Sequence, residues 1–205
     1  DSLGRDSDGL ADMGKDLQDR ARAAMFSLGA TYPELSGYYP QPKGLLFPAF
    51  LSVQNLSGIY SPFTIEANYN SAMVSYNLPF TICHELSHLR GFMQEEEANF
   101  IGFLACVNAD DTAFNYSGYL LGWIYATNEL YEADYDTFVE IYNRLSDNVK
   151  ADLSANSSFW KRYDSKVAEV SGQINDHYLK ANGQSDGIKS YDRMVDLMIT
   201  WFRSK

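Results

Sequence analysis

The sequence predicts an α+β fold that is predominantly α-helical, and three observations carry this. All six prolines (Pro33, Pro40, Pro42, Pro48, Pro62 and Pro79) precede residue 80, and helix interiors exclude proline. Beyond Pro79, apolar residues recur at helical spacing almost to the end. Before it, Phe63 to Tyr76 alternates as a strand pair would. Hydrophobic residues make up 45% of the 205, which is enough for a buried core and excludes a disordered tail. No repeat or low-complexity linker interrupts residues 1–205, so they read as a single domain.

The first nine residues are expected to fray. Leu10, Met13, Leu17, Ala21, Ala24 and Leu28 then place an amphipathic helix over about 9–28. Tyr32 to Lys43 is rich in Pro, Gly and Tyr and reads as a loop. Gly44 to Val53 is almost continuously apolar, suited to a buried strand or a short helix. Phe63 to Tyr76, broken at Asn70-Ser71, reads as a β-hairpin. Pro79 fits the first turn of a helix. Ile82, Leu86 and Leu89 form that helix's apolar stripe, and Gly91 ends it.

A second helix starts near Glu95. It is apolar nearly all round from Phe100 to Val107, which places it in the core. Helical spacing continues through 116–131, 135–145, 149–153 and 159–180. Asn182-Gly183 is a stop signal, and a last helix runs from about Ser190 to Phe202.

Charge narrows the function. With 27 acidic and 16 basic residues the net charge is -11, so nucleic acid is excluded as a partner. No run of eighteen apolar residues occurs to span a bilayer. The chain begins at Asp1 without an initiator Met or a signal-peptide pattern, as expected of a trimmed or mature form. Two cysteines, Cys83 and Cys106, exclude a disulfide scaffold and a four-thiolate zinc site.

Residues 84–88 read His-Glu-Leu-Ser-His. On a helix, positions i and i+4 lie one turn apart on one face, so both imidazoles can reach a single zinc ion. Glu85 then reaches a water on that ion as general base. A catalytic zinc takes three protein ligands and one open position. His177 is far along the chain among polar residues. Glu95, Glu96 and Glu97 are better placed, but only if the chain turns at Gly91. On one continuous helix Glu95 would stand about 10 Å beyond His88. Glu95 shares a face with Asn99, whose side-chain oxygen can accept the free N–H of a ligating histidine. Glu96 is the runner-up and Glu97 the outsider; an ion pair with Arg90 or solvation accounts for the other two.

His84-Glu85-Leu86-Ser87-His88, Arg90-Gly91-Phe92 and Glu95-Glu96-Glu97-Ala98-Asn99-Phe100 together resemble the gluzincin pattern. There HExxH is followed by a glutamate on a second helix. The Glu95…Asn99 spacing is similar to the ExxxD signature of the CAAX-protease and HtpX-like metallopeptidases, with Asn99 in place of Asp. More closely, the stretch resembles a bacterial family of unknown function, number 3810, taken to be membrane-anchored zinc peptidases. Gly58 to Asn68, Tyr178 to Gln184 and Asp186 to Tyr191 resemble that family as well, so the likeness runs from about residue 10 to the end.

The resemblance implies a zincin-like fold, Zn2+ as cofactor, His84, His88 and Glu95 as ligands, and Glu85 as catalytic base. It implies a peptide or protein substrate hydrolysed by a zinc-activated water. It also implies an extracytoplasmic, cell-surface location through N-terminal transmembrane helices that this chain lacks. Related clans stabilise the tetrahedral intermediate with a Tyr, His or Arg from a later segment. Tyr191 is favoured here, with Tyr178 in reserve and His177 and Arg193 as further candidates. Gluzincin clefts bind substrate against an edge strand, which makes Phe63, Thr64 and Glu66 the substrate-binding candidates.

Cys83 and Cys106 fall on the two proposed metal helices. An extracytoplasmic location admits a disulfide, although an antiparallel register sets Cys83 opposite about residue 102. Two other classes stand beside the peptidase: a metal-binding interaction domain with an idle site, and a zinc amidase acting on a cell-wall fragment. An intact Glu85 argues against idleness.

Overall fold

A computed structural model describes residues 3–170, 172–173 and 193–205. It is mostly helical with one small sheet, as the proline distribution predicts. Helix α1 spans Leu17–Thr31, α2 Ala49–Val53, α3 Asn77–His88, α4 Glu95–Val107 and α5 Thr112–Ala133. Helices α6 (Tyr135–Asn143), α7 (Asp147–Lys161) and α8 (Arg193–Arg203) follow. The stretches at 149–153 and 159–161 form one helix, α7, but the helix expected over 159–180 breaks after Lys161. The later part of that stretch and the stop at Asn182-Gly183 lie outside the described residues. No described helix is long and apolar enough to cross a membrane.

Helix α3 is the axis of the fold, and every one of its residues is buried. It packs against α1, α4, α5 and the sheet. The turn to α4 passes through Gly91 at φ 87, a left-handed conformation that favours glycine. Gly102 then lets α4 lie backbone to backbone on α3. A Cβ at that position would meet the Phe80 carbonyl at 3.2 Å and the His84 nitrogen at 3.3 Å. Phe103, Leu104, Ala105 and Cys106 are all buried, in keeping with a helix that is apolar nearly all round.

Residues 3–9 are not frayed. Buried Asp152 accepts bonds from Arg5 Nη1 at 2.7 Å, Tyr116 Oη at 2.5 Å and the Ala11 N–H at 2.9 Å. That carboxylate ties the segment to α5 and α7, and Ala11 and Met13 pack into the core. The helix expected over 9–28 therefore starts only at Leu17 and runs on to Thr31. Positive φ at Gly9, Gly14 and Asp16 bends the chain before it. The apolar spacing of Leu10 and Met13 reflects burial in an irregular segment. Farther on, Arg20 grips Asp111 with Nε at 2.7 Å and Nη2 at 2.6 Å, and Asp111 caps α5 by accepting from the N–H of Ala113 and Phe114. Burial opposes the charge on Asp111, yet Arg20 and these N–H groups hold its pKa below the ordinary value.

The sheet has the order β1-β3-β2, with β1 Lys43–Gly44, β2 Gly58–Ser61 and β3 Glu66–Tyr69. Strand β1 runs parallel to β3 and β2 antiparallel, pairing Gly58 with Tyr69 and Tyr60 with Ala67. The hairpin thus lies upstream of the one expected at 63–76. Its turn rests on Pro62 to Ile65, and Ile65 takes φ 56 without being Gly or Asn, so no turn signal marked it. Gly44 to Val53 is divided between the end of β1 and α2. Leu46 (92%), Phe47 and Phe50 are exposed rather than buried.

Candidate metal centre

His84 and His88 sit one turn apart on α3, and Glu95 opens α4 beside them. The two Nε2 atoms are 3.2 Å apart. Glu95 Oε2 is 3.3 Å from His84 Nε2, and its Oε1 is 3.9 Å from His88 Nε2. Glu85 Oε1 lies 4.0 Å from His84 Nε2. One ligand atom each from His84, Glu85 and His88 fall within 4.8 Å of one another. The apolar stripe of the same helix, Ile82 and Leu86, is wholly buried in the core, which turns the histidines to the opposite side.

Without metal, the two histidines are held in different protonation states by their neighbours. His88 Nδ1–H donates to the Phe92 carbonyl at 2.7 Å. A carbonyl can only accept, so the proton sits on Nδ1 and the neutral ring keeps its Nε2 lone pair free. Burial and the nearby charge of His84 push the His88 pKa down to about 4. For His84, burial works against the charge, but Glu95 above all, then Glu85 and Asn99, raise its pKa to about 9. In return the His84 imidazolium holds Glu95 below the ordinary carboxyl value despite its burial. Glu85 is pushed up to about 8 by burial, which His84 opposes and Glu95 reinforces.

These shifts predict a pH dependence for the chain stripped of metal by a chelator. Folded His84 keeps its proton to about pH 9, against 6.5 ordinarily. Its contribution is complete below 6.5 and is lost as pH rises through 9. Folded Glu85 keeps its proton to about 8, against 4.5, and its contribution is lost in the same direction. His88 acts the other way, but only between about 4 and 6.5. Denaturation midpoints of the metal-free chain should therefore fall from pH 6.5 to 8. A midpoint that rises over that window would contradict the arrangement.

Two residues missed in the sequence complete the site. Gly58 and Tyr60, on the same face of β2, look toward α3. A Cβ at Gly58 would stand 2.4 Å from Glu85 Oε1, so this strand position is the floor on which the carboxyl rests. The Tyr60 ring lies 5.9 Å from that of His88. Their only sequence signal was membership of the stretch from Gly58 to Asn68, within which attention fell on Phe63, Thr64 and Glu66.

Those three residues do not join the site. β3 is the central strand and β2 the edge, because the hairpin turns at 62–65. Phe63 is 98% exposed in that turn. Thr64 Oγ1 donates to Ser61 Oγ at 2.8 Å, and Glu66 pairs with Lys43. Asn99 does reach His84 and is buried. Its side chain bonds to His84 and helps raise that residue's pKa, while His84 Nδ1 and Asn99 Nδ2 are the atoms of the pair left without a well-aligned partner among the described residues.

Of the other glutamates, Glu96 is buried and meets Arg193 Nη1 at 3.5 Å, while Glu97 is exposed. Arg90 pairs with neither. It donates to the carbonyls of Ser36 at 3.1 Å and Tyr38 at 2.8 Å, and stacks over Tyr39. Tyr191, Tyr178 and His177 lie outside the described residues.

No curated protein and no solved structure gives a significant match. The profile of a family described as "Protein of unknown function (DUF3810)" matches residues 2–199. That span takes in β2, the whole of α3 and α4 and most of α8, and the chain belongs to this family.

Proposed function

We propose that this chain is a zincin-like, zinc-dependent hydrolase, a metallopeptidase in which His84, His88 and Glu95 hold the metal and Glu85 is the general base. One observation carries the reading: the spacing of the donor atoms. Two ligands at about 2.0–2.1 Å from a tetrahedral ion stand about 3.3 Å from each other. His84 and His88 Nε2 are 3.2 Å apart, and His84 Nε2 and Glu95 Oε2 are 3.3 Å apart. His88 already has the tautomer that a ligand needs, and Glu95 is held in its ionised form. Glu85, buried next to the ligands with Oε1 4.0 Å from His84 Nε2, is placed to serve as the base.

When bound, zinc would polarise the scissile carbonyl and lower the pKa of an attacking water. Glu85 accepts the proton of that water and passes it to the leaving amine. Gly58 leaves the carboxyl the room it occupies, and burial keeps bulk water from competing for it. A peptide extended along β2 would find an edge paired on one side only among the described residues. Residues 44–65 carry no Asp, Glu, Lys or Arg, so an uncharged substrate suits this wall best. Tyr191, with Tyr178 in reserve, keeps the role of oxyanion donor in this proposal. Placement at the cell surface through transmembrane helices beyond this chain rests on the family resemblance.

Metal analysis tests the site. The purified chain should hold about one zinc per molecule. Glu95→Ala should weaken retention by more than the roughly 10–100-fold that loss of an outer contact costs, and Glu97→Ala should leave it unchanged. The reverse order would move the third ligand, and no zinc uptake at all would sink the proposal.

A further inference from the structure

We propose that Cys83 and Cys106 are a disulfide-forming pair that staples α3 to α4, the two helices that present His84, His88 and Glu95. Both side chains are wholly buried, and both are free thiols here. They belong to one core cluster, and Cys106 stands one turn beyond Gly102 on the face of α4 that meets Phe80 and His84, the neighbours of Cys83. The Cys106 thiol interacts with that of Cys83. The helix register explains how they meet. Residue 102 does lie opposite this part of α3, since Gly102 touches Phe80 and His84. Side chains on a helix, however, lean toward its own N-terminus. In an antiparallel pair, Cys83 therefore leans toward the level of Phe80, and Cys106 leans back toward the level of Gly102. The two sulfurs converge although their backbone positions are offset. Gly118 presses α5 onto the same point, because a Cβ there would stand 2.7 Å from Cys106 Cβ. The pair is thus enclosed by three helices.

The oxidant is a low-molecular-weight disulfide. One protein thiolate attacks it and expels a small thiolate. The other protein thiolate then attacks the mixed disulfide and expels the second. The protein loses two electrons and two protons, and the small disulfide becomes two thiols. The sulfurs are accessible only while α3 and α4 come together, so the bond forms during folding and is then shielded. It closes a loop that contains the α3–α4 turn and Glu95, and it holds whether or not the metal reading does.

The full chain, unfolded and reduced, is refolded in an oxidising glutathione buffer or in reductant, then denatured and alkylated. Oxidising refolding should leave no alkylatable thiol, an intact mass lower by two hydrogens, and a monomer on a non-reducing gel. The unfolding equilibrium constant should drop roughly 100-fold relative to the reduced chain, by restriction of the unfolded state. Cys106→Ala should abolish that difference between the two buffers. Two alkylatable thiols after oxidising refolding, bonds formed only between chains, or the same gain in Cys106→Ala would each overturn the proposal.

Discussion

Glu85→Gln is expected to leave zinc binding intact and to reduce peptide hydrolysis by on the order of 1,000-fold or more, the scale of a lost general base. Gln matches the shape of Glu but cannot accept a proton at neutral pH. The substitution therefore removes the chemistry while keeping the packing against Gly58. The buried carboxyl is also costly to keep charged, as its pKa of about 8 shows, so the metal-free variant should be no less stable than the parent at pH 8. Zinc content, melting temperature and turnover on one peptide substrate measure the three quantities together. Full activity in the variant would exclude Glu85 as the base. Loss of zinc with the activity would make Glu85 a ligand instead.

Gly58→Ala is the second large effect, and it acts on the same carboxyl from the opposite wall. The added methyl would stand 2.4 Å from Glu85 Oε1 and 2.8 Å from both Cδ and Cγ. No such contact is tolerated, so either β2 or the Glu85 side chain must move. Gly58 does not have positive φ, and alanine is compatible with its backbone. The cost thus arises chiefly from Glu85, whose atoms are the nearest to the added methyl. Displacement of a catalytic group by about 1 Å costs about 100-fold in rate, and hydrolysis should fall by at least that much while zinc stays bound. The control is a double-mutant cycle. With Glu85→Ala already present, Gly58→Ala should have almost no further effect on stability. An equal stability loss in both backgrounds would mean that Gly58 serves the sheet and not the base.

Helix α3 was legible because its signal is local. His84, Glu85 and His88 are set by a four-residue spacing that any helix turns into one face, and Gly91 supplied the reversal that brings Glu95 back. Helices α5 to α7 were legible for the same reason, and α4 was read as a core helix from its apolar circumference. The first half was read less well. Leu10 and Met13 kept helical spacing in a segment held by Asp152, about 140 residues away in sequence. The hairpin turn sits on Ile65, which carries no turn signal. Placing that hairpin too late made β3 the edge and drew Phe63, Thr64 and Glu66 toward a site they do not touch.

By itself, then, the sequence determined the helix that carries two imidazoles and a carboxylate, the second helix that returns a glutamate, and the helical class of the fold. These depend on spacing within one turn or across one glycine. Only the tertiary structure decided which of three adjacent glutamates faces the histidines, which strand lies under Glu85, and that Cys83 and Cys106 share one buried core cluster. Each of those depends on how separate elements dock. Docking is set by close approach at Gly58, Gly102 and Gly118, where the informative feature is a side chain that is absent.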